Sequence, residues 1–212
     1  MYVFSHILRN AKFEVIKDMI DSPDSQKKSL GGVVVPARAV HIDQSESGAN
    51  AMLDDNLPAE QVNRLRKTHW GIINVWRPIK PVTRDPLAIC DARTISSDDT
   101  VELFARLPAE GGANYTTSRT NLNTLHVRHS PQHRWYFVSD MTPEEVLLIK
   151  IHDTKGIEDK NHARWAAHSA FVDPRTEHEK DARESLELRC LLFWEDKPIN
   201  DASTSSLSAT GS

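Results

Sequence analysis

Short apolar runs separated by clusters of Pro, Asp, Ser and Gly recur along the whole chain. Tyr2-Val3-Phe4-Ser5-His6-Ile7-Leu8 predicts a strand that begins with almost no lead-in. Residues 18–30 are polar and turn-rich and read as a loop. Gly31-Gly32 then introduces a strand from Val33-Val34-Val35 through Val40-His41-Ile42-Asp43. The best helical pattern is 58–68, where Pro58 suits a first turn, Leu57, Val62 and Leu65 supply an apolar stripe, and Gly71 closes it. Ile72-Ile73-Asn74-Val75-Trp76-Arg77 predicts a buried strand stopped by Pro78 and Pro81. Residues 86–90, 125–129, 134–138, 146–151, 165–171 and 185–193 read as further strands, with a capped turn at 96–100 and one helical turn at 142–145. Residues 114–123 predict a surface loop or weak edge strand. From Ile199 the chain is Ser/Thr/Ala-rich without apolar periodicity, a disordered tail. Many short strands with few helices predict a mainly β fold, a double-stranded β-helix (jelly roll) barrel, as one domain over 1–198 with a tail at 199–212.

Composition narrows the class. Hydrophobic residues are 39% and charged residues 26% of 212, ordinary for a globular domain with one sizeable core. A formal net charge of -4 offers no basic footprint for nucleic acid. No apolar run approaches the roughly 18 residues of a membrane span, and the first residues lack the basic start and apolar centre of a secretion signal. Cys90 and Cys190, far apart in sequence, suit a reducing compartment better than a disulfide framework. The expectation is a cytoplasmic domain without nucleic-acid or membrane partners.

The chemistry concentrates in Val40-His41-Ile42-Asp43-Gln44-Ser45. In extended chain, alternation puts His41 and Asp43 on one face and Val40 and Ile42 on the other, so one face can hold a metal while the other packs. An imidazole and a carboxylate two residues apart, joined by one distant imidazole, form the facial triad of non-heme iron(II) oxygenases. H-x-D alone is commonplace in a chain with ten His, so the reading needs a third ligand and a co-substrate anchor. A 2-oxo acid with a remote carboxylate suits an Arg, whose fork donates two parallel N–H···O bonds. A hydroxyl two residues further shares the strand face. Arg183-Glu184-Ser185 meets that pattern at the head of the last strong strand. Among the remaining histidines His168 stands on the apolar strand just upstream, and adjacent antiparallel strands would bring it to the metal and Arg183 to the cavity wall. His133, ahead of Arg134-Trp135-Tyr136-Phe137, is the rival. His126 and His129 read as surface decoration.

His41-Ile42-Asp43-Gln44-Ser45, Asn74-Val75-Trp76-Arg77-Pro78, Pro86-Leu87-Ala88-Ile89-Cys90-Asp91, His133-Arg134-Trp135-Tyr136, His168-Ser169-Ala170-Phe171 and Arg183-Glu184-Ser185-Leu186-Glu187 then resemble, in the same order, a known family. They look like the fungal hydroxylase/desaturase family, with its gibberellin desaturase-like and cephem-methoxylase-like proteins of secondary metabolism. The match runs from about Tyr2 to Phe193, and N-V-W-R-P and H-R-W-Y are its specific blocks. The resemblance implies an iron(II)- and 2-oxoglutarate-dependent dioxygenase that takes dioxygen and hydroxylates or desaturates a small organic metabolite. It implies His41, Asp43 and His168 as Fe(II) ligands and Arg183 with Ser185 as the 2-oxoglutarate anchor, with no catalytic side chain beyond the metal ligands. Asn74, Trp76, Arg77, His133 and Trp135 are carried as substrate or co-substrate contacts. For Arg77 a loop tether weighs evenly against an anion partner, and for Trp76, Trp135 and Phe171 core packing outweighs a pocket wall.

Family members usually carry a further segment ahead of the block resembling Tyr2–Arg9, and this chain is expected to lack it. That departure keeps a second reading open, a barrel relative that binds a ligand or partner without turnover. A cupin-like zinc or manganese enzyme is disfavoured by the R-x-S pair, and a Ser–His–Asp hydrolase by the lack of G-x-S-x-G.

Overall fold

The computed structural model describes residues 1–12, 14, 34–106, 121–176, 178 and 181–198. The loop predicted at 18–30, most of 114–123 and the tail from 199 lie outside the described residues. In chain order the strands are β1 (Tyr2–Arg9), β2 (His41–Ile42), β3 (Thr68–Pro78), β4 (Leu87–Cys90), β5 (Thr100–Arg106), β6 (Asn121–Val127), β7 (Trp135–Phe137), β8 (Leu147–Asp153), β9 (His168–Ala170) and β10 (Ser185–Pro198). Helices are α1 (Glu46–Asn56), α2 (Ala59–Leu65) and the single turn α3 (Lys155–Glu158). All pairing is antiparallel, in a four-stranded sheet β1-β10-β3-β8 and a six-stranded sheet β5-β6-β2-β9-β4-β7. This is the mainly β, two-sheet jelly-roll architecture the pattern predicts. No helix among the described residues is long and apolar enough to cross a membrane.

Alternation sorts the side chains. On β3, Trp70, Ile72, Asn74 and Trp76 face inward and are buried, and Ile149 and Ile151 of β8 and Leu191 of β10 join them in the main core. Trp70 and Trp76 are almost wholly buried. At roughly 150–250 Å² per aromatic, each contributes roughly 4–6 kcal/mol as an upper bound. Ala49, Met52 and Leu53 of α1 and Val62 of α2 close one end of this core. On the opposite face of the six-stranded sheet, Ile42, Cys90 and Ala167 form a second cluster with Val40, Leu125, Val127 and Trp165. Val40 and Ile42 thus pack away from His41 and Asp43, as strand alternation requires.

Several elements depart from the pattern reading. Of the strand expected from Val33 through Asp43, Val33 lies outside the described residues; among 34–43 only His41–Ile42 is ladder-paired, and Pro36, which has no N–H to donate, sits in the irregular lead-in. Helix α1 was not legible as a helix because Ser, Gly and Asn interrupt it. It forms because Ser45 caps it, accepting the Gly48 amide at 3.1 Å, and because Ala49, Met52 and Leu53 make an i, i+3, i+4 stripe that only the core rewards. Gly71 ends no helix: it lies inside β3, where a Cβ would meet the His152 carbonyl oxygen at 2.6 Å. At 142–145 there is a turn capped by Glu145 rather than a helix. Strands β9 and β10 are not neighbours, since β9 pairs with β2 and β4 while β10 pairs with β1 and β3. The chain between them crosses from one sheet to the other, so His168 and Arg183 approach the same interior from opposite walls.

Candidate metal centre

His41 and His168 are directly paired across β2 and β9, so their side chains share the inward face of the six-stranded sheet. Their rings lie 4.5 Å apart at 53°. The Nδ1–H of His41 donates to the Ala39 carbonyl at 2.7 Å and that of His168 to the Ala166 carbonyl at 3.2 Å. A carbonyl oxygen only accepts, so each ring keeps its proton on Nδ1 and turns the Nε2 lone pair inward. Both Nε2 atoms face Asp43 Oδ1, at 3.3 Å from His41 and 3.7 Å from His168. The ligand atoms of His41, Asp43 and His168 all lie within 4.8 Å of one another. Two imidazole lone pairs and a carboxylate oxygen converging in a buried space repel unless a cation or a proton stands between them. The donor set suits a divalent transition metal and leaves open positions.

Asp43 is held from behind. Its Oδ2 accepts a hydrogen bond from Asn74 Nδ2 at 2.6 Å and forms an ion pair with Arg189 Nη2 at 3.0 Å. Glu187 Oε1 accepts the same two groups, Asn74 Nδ2 at 3.1 Å and Arg189 Nε at 2.9 Å. Burial pushes the Asp43 carboxyl up, but Arg189, with His168 and His41, outweighs it and holds the group well below the usual range. Burial lowers His168 and Asp43 outweighs it, leaving that imidazole above its ordinary value.

Arg183 approaches from the opposite wall. Its guanidinium stands over the Trp76 ring at 5.3 Å and its Nη1 donates to the Asp85 carbonyl at 2.6 Å. Asp85 is buried with φ 49°, a left-handed conformation that Asp tolerates, and its carboxylate is tied to Arg38 and Arg84. Among the described residues Arg183 Nε and Ser185 Oγ, both buried, have no hydrogen-bond partner. Orphaned donors cost about 1–3 kcal/mol each, and a carboxylate ligand would satisfy both. Arg183, His41, His168, Trp76 and Glu187 line one narrow cavity, with about 10 Å³ of free space. Larger cavities of about 530 and 470 Å³ are lined by none of His41, Asp43 and His168.

The other expected contacts separate. Asn74 gives its Nδ2 to Asp43 and Glu187 and so braces the centre, while among the described residues its buried Oδ1 has no hydrogen-bond partner. Arg77 is exposed and donates to the Pro143 carbonyl at 2.6 Å, the loop-tether reading. His133 bonds Asp99 at 3.1 Å and does not join the cluster. Trp135 lies on the sheet-edge strand β7, about a third exposed at 36%. Only Trp76 of the three proposed wall aromatics lines the cavity; Phe171 packs edge-on against Phe137. His126 is not mere decoration: it pairs with His41 across β2 and β6, half-buried on the same face, and burial, then His41, holds its pKa down. The sequence reading missed Glu187, Arg189, Asp85 and Arg9. A signal existed for two of them, because R-x-S continued by alternation reads Arg183, Ser185, Glu187, Arg189, four polar residues on one strand face.

Residues 1–193 match the family model described as "YDMC: Oxidoreductase/YMDC permease-like domain". The chain is 47% identical over 152 residues to the hydroxylase/desaturase asaB of Aspergillus flavus, covering 70% of this chain and 66% of that protein. It is 41% identical over 194 residues to the hydroxylase/desaturase efuI of Hormonema carpetanum, covering 91% and 63%. Among solved structures, the iron and alpha-ketoglutarate-dependent endoperoxidase NvfI superposes with a TM-score of 0.68 at 27% identity, covering 91% of this chain and 61% of that one. The chain therefore spans just under two thirds of the length of these proteins.

Proposed function

The chain belongs to the fungal hydroxylase/desaturase family, and from that premise we propose that it is an iron(II)- and 2-oxoglutarate-dependent oxygenase hydroxylating or desaturating a small organic metabolite. The observation that carries the reading is one cavity with two imidazoles beside a braced carboxylate at one end and an Arg with an orphaned Nε at the other. In this reading His41, Asp43 and His168 hold the iron, and Arg183 with Ser185 receives the remote carboxylate of 2-oxoglutarate. Iron bound there would supply the activation of dioxygen, coupled to decarboxylation of the 2-oxo acid, that oxidises a C–H bond.

The chain's own residues do the positioning. The Ala39 and Ala166 carbonyls fix ring tautomer and orientation, work whose loss in metal sites typically costs 10–100-fold in affinity. Asn74 and Arg189 hold Asp43 ionised and aimed. Trp76 backs the Arg183 guanidinium and excludes water from it, which strengthens the bonds Arg183 makes. A charge-assisted bond to each orphaned donor is worth about 1.5–3 kcal/mol. Residues 1–198 act as one barrel in this proposal, and the free buried thiols of Cys90 and Cys190 suit a reducing cytoplasm.

Anaerobic titration of Fe(II) into protein containing 2-oxoglutarate is expected to raise a weak visible metal-to-ligand band, lost in His168→Ala and Arg183→Ala. His41→Ala is expected to fold and to have no turnover. No band in folded wild-type protein refutes the proposal and favours a barrel relative without turnover.

A further inference from the structure

Arg9 occupies the last position of β1 and pairs across the ladder with Ser185. It shares the inward face with buried Ile7, and it lines the same cavity as Arg183, His41 and His168. Two guanidiniums thus border one small, largely buried space. Their hydrogen bonds go to carbonyls: Arg9 Nη1 to Val35 at 2.8 Å and Arg183 Nη1 to Asp85 at 2.6 Å. Among the described residues neither has a carboxylate within ion-pair distance. The nearby carboxylates are committed elsewhere, Asp85 to Arg38 and Arg84, and Glu187 through Oε1 to Asn74 and Arg189. Burial first, and Arg9 next, depress Arg183 to about 10. A pair of cations arranged this way is unfavourable until an anion enters between them.

We propose that Arg9 is a second binding residue for the remote carboxylate of the co-substrate, sharing it with Arg183 and Ser185 and setting the preference for a dicarboxylic 2-oxo acid. The inference rests on the function proposed above. With about 10 Å³ free, the cavity has room for about one water, so a wall must give when the ligand enters. Arg9 is that wall: it is long, only partly buried and on the sheet-edge strand β1, whereas Trp76, Leu87, His168 and Arg183 are buried, Ala37 has no side chain to swing and His41 is held by the Ala39 carbonyl. Swinging from the Val35 carbonyl to the ligand, it exchanges a neutral acceptor for a charged one.

The test measures equilibrium binding of 2-oxoglutarate and of pyruvate to Mn(II)-loaded protein, which does not turn over. Pyruvate keeps the 2-oxo acid and lacks the remote carboxylate. Arg9→Met is expected to weaken 2-oxoglutarate about 10- to 100-fold, about 1.4–2.8 kcal/mol, while Mn(II) and pyruvate binding stay within about twofold. Arg9→Lys keeps the charge without the fork and is expected to lose less, and the same ratio read in that variant decides the matter if Arg9→Met fails to fold. Unchanged 2-oxoglutarate affinity in folded Arg9→Met overturns the inference, as does an equal loss for both acids, which marks a structural role. Wild-type protein that folds and binds neither acid overturns the proposed function and this inference with it.

Discussion

Removing Arg189 separates the electrostatics of the centre from its packing. Its Nη2 and Nε reach Asp43 and Glu187 at 3.0 and 2.9 Å, and its side chain is 17% exposed. In Arg189→Met a flexible side chain of similar reach fills the space, but two buried carboxylates are left with the neutral Asn74 amide between them. Breaking a buried ion pair from one side costs about 3–5 kcal/mol, because an uncompensated charge remains. For a chain of this size that lowers the melting temperature by roughly 6–20 °C. A divalent cation at His41, Asp43 and His168 supplies the missing positive charge, so it is expected to bind Arg189→Met more tightly than wild type, and each tenfold difference in affinity narrows the gap by about 1.4 kcal/mol at saturating metal. Thermal melts of wild type and Arg189→Met, with and without Mn(II), are therefore expected to show a large gap that metal narrows. A second substitution, Glu187→Gln on top of Arg189→Met, removes one of the stranded charges and is expected to recover part of the loss. Metal-free melts within about 2 °C of each other would refute the reasoning, and so would a gap that Mn(II) leaves unchanged.

Two further outcomes follow from buried groups elsewhere. Burial pushes His152 down to about 4, against 6.5 in the unfolded chain. Below pH 6.5 the unfolded state takes a proton that the folded state refuses, so stability falls with pH down to about 4, by about 2 kcal/mol between pH 7 and 5. Denaturant unfolding at those two values should show that loss in wild type and not in His152→Phe; equal losses would exclude His152 as its source. Gly48 lies in α1, where Ala is normally about 1 kcal/mol better than Gly. Here a Cβ would meet the Asn123 carbonyl oxygen at 2.3 Å, so Gly48→Ala is expected to destabilise by about 1–3 kcal/mol, and a higher melting temperature in that variant would contradict the contact.

The short apolar runs of the sequence determine a β protein, because strands of this length bury one face and alternation carries the other. The same period-2 rule, applied to Val40-His41-Ile42-Asp43, correctly sets His41 and Asp43 opposite the packed Val40 and Ile42 even though the strand there is two residues long. Side-chain direction is local information, so it was legible. What each polar residue meets is not local. Asn74 and Arg77 stand in the same strand and the same sequence block, yet one braces Asp43 inside the barrel and the other ties down a loop outside it. Helix α1 also depended on context: its stripe is weak until β6 and the core lie against it. The joining of His168 with Arg183 was decided by the crossing of the chain from β9 in one sheet to β10 in the other, which places them on facing walls instead of neighbouring strands. Arg9 and Ser185 lie at opposite ends of the sequence, and only the β1–β10 ladder brings them side by side. Contacts across long loops depend on which sheets close over one another, and that is set by burial summed over the whole chain, which no single window of sequence contains.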